Sequence, residues 1–143
     1  MKRIFSTSAN KGLYHIALFI VRATVSVFML VHGLQKLNML LSGGPVKFPD
    51  PLGVGITNSL TLAVFSEVLC SIFIFIGLAT RIVVFPLIIT MFIIVFVVHG
   101  MEGFEVRELP SLYLLVYLFL LVTGSGKFSV DHFISRRDKY PVY

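Results

Sequence analysis

Six side chains in this sequence can do chemistry in surroundings that otherwise cannot: Arg22, His32, Lys36, Glu67, His99 and Glu102. Arg22 and Glu67 sit in the middle of long apolar runs. A charge at that position costs about 2.5–3.5 kcal/mol even on a mild insertion scale, so such residues turn inward and pair. Arg22 is nine residues beyond Leu13 and Glu67 eleven before Leu78. At the helical rise these are about 14 and 17 Å from one membrane edge. The matching depths predict an Arg22–Glu67 ion pair between the first two spans. It either fixes helix packing or lines a pocket for a polar headgroup or a proton path.

The histidines each precede a glycine at the end of an apolar run, "LVHGLQK" and "VVHGMEG". Both fall about 25–29 Å from the same edge. Lys36 is one turn beyond His32, and Glu102 is three residues beyond His99. His32, Lys36, His99 and Glu102 therefore form a candidate polar cluster. It would hydrogen-bond a quinone carbonyl. As a weaker alternative, His32, His99 and Glu102 would hold a divalent metal. The plainest reading makes each histidine an interfacial helix cap. Arg22, His32, Lys36, Glu67 and His99 are the candidate ligand-binding residues, with no catalytic residue assigned.

Positioning these groups requires membrane spans. The 143 residues are 57% hydrophobic and 13% charged, too few charges to cover a soluble domain. Four spans are read at about 13–36, 56–78, 82–99 and 109–123, and an amphipathic tail at 129–137. The chain is thus an all-α membrane protein, one domain over 1–143, built as a four-helix bundle with a short C-terminal helix. A cleavable signal peptide is disfavoured, because the first run continues to Val31 without a cleavage site. Pro110 suits the first turn of span four, Pro86 should kink span three, and Ser129 or Asp131 should cap the tail helix. The repeated Val-His-Gly leaves open an internal duplication. Met29, Met39, Met91 and Met101 read as packing or lipid-facing residues.

Lys2, Arg3, Lys11, Arg81, Lys127, Arg136, Arg137 and Lys139 gather at one end. Acidic residues offset the cations at the other end. The positive-inside rule then places both termini in the cytoplasm. This pattern suits membrane topology rather than nucleic-acid binding. "GSGK" at 124–127 is not a phosphate loop: Leu121 and Phe128 stand where Gly and Ser or Thr belong. It reads as a helix exit. Cys70 is the single cysteine, so no redox-active pair exists within the chain.

Arg22 ahead of "HGLQKL", Glu67 in span two, "GLATR" (Gly77, Thr80, Arg81), His99, and "GSGKFSVD" together resemble the DoxX family of small four-helix bacterial membrane proteins. Ser26 and Ser125 depart from its pattern. The resemblance implies an inner-membrane bundle. Relatives look like membrane subunits tied to sulfur or thiosulfate oxidation with quinone, or to oxidative-stress complexes. Related eukaryotic families look like assembly or cargo factors. The expected function is a quinone-interacting or redox-accessory subunit, without a catalytic motif of its own and enzymatic only as part of an oxidoreductase, with quinone the candidate cofactor. A non-enzymatic scaffold and, more weakly, a small transporter are the alternatives. Expected partners are the lipid bilayer, a second copy of the chain, or a redox protein.

Overall fold

The computed structural model describes residues 10–44 and 47–137. Lys2, Arg3 and Lys139 of the basic ends, and Pro45 of the long loop, lie outside the described residues. Five helices follow one another, and no strand occurs among the described residues: α1 Lys11–Leu41, α2 Ile56–Ile76, α3 Thr80–Val98, α4 Phe104–Thr123 and α5 Val130–Arg137. The first four are long and apolar enough to cross a membrane. Sequential helices pack side by side, and α4 also touches α1, so α1 and α3 stand diagonally across the bundle.

Between 17 and 44% of each span's most apolar window is buried inside the chain. The outer faces carry exposed Phe28, Ile89, Phe96, Leu115 and Val122. Only lipid can solvate such a surface, because its backbone groups are already paired within helices. The core proper is Leu18, Val25, Met29, Cys70, Ile74, Val84, Leu87, Met91, Tyr113, Tyr117 and Leu120. Met29 and Met91 pack there, whereas Met39 and Met101 are exposed.

Asn10 caps α1 by accepting a hydrogen bond from Gly12 N–H at 3.0 Å. The α2–α3 turn is tight. Gly77 takes a left-handed conformation, φ +74°, and Leu78 N–H donates back to Phe73 O at 2.9 Å. Ala79 follows, also left-handed. The N-terminus of α3 is capped from a distance: Asp131 accepts from Ala79 N–H at 2.7 Å and from Thr80 N–H at 3.3 Å. Ser129, not Asp131, caps α5, through His132 N–H at 3.2 Å.

Two details correct the sequence reading. α4 begins at Phe104, so Pro110 lies inside it rather than in its first turn. Its polar opening, with Glu105, Arg107 and Glu108, is too hydrophilic for a hydropathy window but suits a helix start beyond the membrane core. Two π-helical stretches, Phe65–Cys70 within α2 and Ile94–Val98 at the end of α3, have no periodicity signal at all.

Candidate functional site

One face of α1 carries Arg22, Ser26, Met29, Gly33 and Lys36, spaced at three and four residues. This face meets α2, and the approach is close at Gly33. A Cβ there would lie 2.8 Å from Val68 Cγ2 and 2.9 Å from the Glu67 carbonyl carbon. Glycine therefore lets Lys36, one turn further on, reach the middle of α2.

Lys36 Nζ forms an ion pair and hydrogen bond with Glu67 Oε1. The Arg22–Glu67 pair expected from matching depths does not form. Arg22 instead donates to Ser125 O at 2.6 Å and to Phe128 O at 2.5 Å. The reason is directional. Side chains lean toward the N-terminus of their own helix. α1 and α2 are antiparallel, so Arg22 leans toward the end bearing the termini and Glu67 toward the opposite, loop-bearing end. Lys36, higher on α1, leans down onto Glu67.

The π-turn changes what α2 presents. Consecutive Ser66 and Glu67 are both buried. Glu67 faces Lys36 of α1, while Ser66 pairs with the Thr90 hydroxyl of α3 at 2.9 Å. An ordinary α-helix would splay two successive side chains by about 100°. Such bulges recur at functional sites.

Between α2 and α3, at the loop-bearing end, lies a cavity of about 560 Å³. Lys36, His99, Ser59 and the Ser66–Thr90 pair supply its polar atoms against an otherwise apolar wall. Leu62, Phe65 and Ile89 line it and are also exposed on the outside of the bundle, so its mouth faces lipid. Phe48, Pro49, Pro51 and Leu52 roof it. Asp50 fastens this roof to α2, accepting from Ser59 Oγ at 2.6 Å, Gly55 N–H at 2.8 Å and Val54 N–H at 3.1 Å. The Ser59 hydrogen bond, with the backbone donors, holds the Asp50 carboxyl below the usual aspartate range.

The chain's candidate residues thus divide. Lys36 and His99 share the cavity, with Glu67 directly behind Lys36. His32 is exposed and does not line the cavity. Its ring meets Tyr113 of α4 edge-on, with centroids 6.1 Å apart. His99 Nδ1 lies 3.0 Å from Glu102 Oε2. Among the described residues, no group of three or more His, Cys, Asp or Glu side chains is arranged to hold a metal ion. Arg22 belongs to a separate centre at the terminal end, where Gly77 leaves no room for a Cβ beside its guanidinium.

The family model for DoxX matches residues 17–100, more than half of the chain. The chain belongs to the DoxX family. The matched stretch covers Arg22, His32, Lys36, Glu67 and His99, and it ends just before α4. No curated protein and no solved structure matches the chain. The cavity and its surroundings in this DoxX protein also include residues that its charge pattern did not announce. Ser66, Thr90 and Ser59 line the cavity, Asp50 holds its roof, and Tyr113 and Tyr117 flank Glu67's side of the bundle. The i, i+4 spacing of the two tyrosines and the serine beside Glu67 were the available signals.

Proposed function

We propose that this DoxX protein binds the ring headgroup of a membrane quinone and serves as an accessory subunit to redox chemistry in the bacterial cytoplasmic membrane. The observation that carries this reading is the lipid-facing cavity beside Lys36. Its size suits a small ring, and its walls are apolar with a few polar groups among them. The Lys36 ammonium offers a ring oxygen a hydrogen bond besides the one it gives Glu67, and His99 adds a second group, whereas the Ser66 and Thr90 protons are already given to Ala63 O, Pro86 O or each other. The mouth between Leu62, Phe65 and Ile89 admits a ligand with its tail still in lipid. The redox equivalents belong to the quinone and its partner enzyme, since Cys70 is buried and alone.

The same proposal places both termini in the cytoplasm. Lys11, Arg81, Lys127 and Arg136 lie at the terminal end, while the roof loop and Glu102, Glu105 and Glu108 lie at the other.

The test is binding of a short-chain quinone to the purified protein in lipid nanodiscs. Leu62→Trp, at the cavity mouth, should weaken binding at least about tenfold, a loss of about 1.4 kcal/mol. Phe28→Ala, on the lipid face away from the cavity, should leave it unchanged. Equal affinity of all three proteins, or no binding by the unmodified one, would leave the bundle a scaffold only.

A further inference from the structure

Lys36 lines the cavity and pairs with Glu67. Glu67 itself has no exposed surface and does not line the cavity. Its Oε1 receives Lys36, but its Oε2 has no partner. Nearby, the hydroxyls of Ser71 and Tyr117 are also fully buried and also lack partners. Ser71 follows Glu67 by four residues on α2, and Tyr117 lies within electrostatic reach of Glu67 and beside Ser71. A closed structural ion pair would satisfy both carboxylate oxygens. Here one oxygen is left without a partner in a part of the bundle that also holds unpartnered hydroxyls, and a hydroxyl accepts a hydrogen bond as readily as it donates one. A neutral carboxyl group needs such an acceptor.

Resting on the cavity's reading as a quinone headgroup site, we infer that Lys36 and Glu67 form a proton-accepting couple and that the ligand they serve is the reduced, hydroxyl-bearing ring. The ring O–H bond breaks and its proton joins the Lys36 nitrogen. One ammonium proton passes at the same time to Glu67, forming an O–H bond on the carboxyl group. Lys36 stays an ammonium and exchanges a carboxylate partner for a phenolate one. The net charge of the site is unchanged and no electron moves. Both charges remain paired throughout, which is the condition for keeping them inside a bundle.

An alkyl-chain naphthol tests this with the unmodified protein in nanodiscs, at a pH where the free naphthol is neutral. Its binding should produce the absorption of the naphtholate, together with a protonated-carboxyl stretch in the infrared difference spectrum. The methyl ether of the same probe has no proton to give and should produce neither. Glu67→Gln should abolish the carboxyl band. Naphthol bound with its neutral spectrum, or a carboxyl band of equal size with the ether, overturns the inference. If quinone binds and the naphthol does not, the inference falls and the quinone site stands. If neither binds, both fall.

Discussion

Arg22 and Glu67 show what depth alone leaves undetermined. Counting along each helix put the two at matching depths, and both are buried within the bundle. Counting gave no direction, and the antiparallel lean of the two side chains separates them. The guanidinium's partners, the carbonyls of Ser125 and Phe128, lie more than a hundred positions away along the chain. No local pattern announces that the segment after α4 folds back beneath α1. Arg22→Met should therefore destabilise the bundle by about 2–4 kcal/mol, from two carbonyls left short of a donor at about 1–3 kcal/mol each. Arg22→Lys, which cannot span both carbonyls, should lose less. Denaturant unfolding in detergent reads both. Because Arg22 and Glu67 share no partner, Arg22→Met and Glu67→Gln should add within about 0.5 kcal/mol. A coupling above about 1 kcal/mol would restore the direct pair.

Among the elements, the four spans were legible because a 20-residue apolar run is a strong signal. Their order in the bundle was not. Short connections make neighbours of α2 and α3, but only packing shows that α1 and α3 are diagonal, which divides His32 from His99. The π-turn at Phe65–Cys70 was equally silent, since an inserted residue leaves hydropathy unchanged. Gly33 had a visible place in "HGLQK", and the structure gives its reason: contact with Val68 and the Glu67 backbone. Gly33→Ala should cost about 1–3 kcal/mol by overpacking that contact. It should also weaken ligand binding, because Lys36 rides on the same face. Gly12→Ala is the comparison. A Cβ there meets nothing nearer than Asn10 Oδ1 at 3.4 Å, and losing a helical glycine favours stability by about 0.5–1 kcal/mol. Thermal unfolding of the two variants should move in opposite directions.

Taken whole, the described bundle is fastened by an aspartate at each end. Asp131 fastens the tail to the start of α3, beside the Arg22 centre. Asp50 fastens the roof loop over the cavity that opens to lipid. Asp131→Asn should therefore lower stability with little effect on ligand affinity. Asp50→Asn, which loosens the roof, should lower affinity. The Asp50 carboxyl also gives the site a pH dependence of definite sign. Its folded-state pKa is depressed by Ser59 and the backbone donors, so its contribution is complete above the usual aspartate value. It is lost as pH falls through the lower, folded-state value. The contribution of Asp50 to binding should thus be flat across neutral pH and be lost only in acid below the ordinary aspartate range. On the proposed orientation, with both termini in the cytoplasm, the roof would face the outside of the cell. In right-side-out vesicles, acidifying the external medium should then release bound quinone, while acidifying the lumen alone should not. Release by lumenal acid instead would invert the orientation. Acid release that persists in Asp50→Asn would remove the roof from the mechanism.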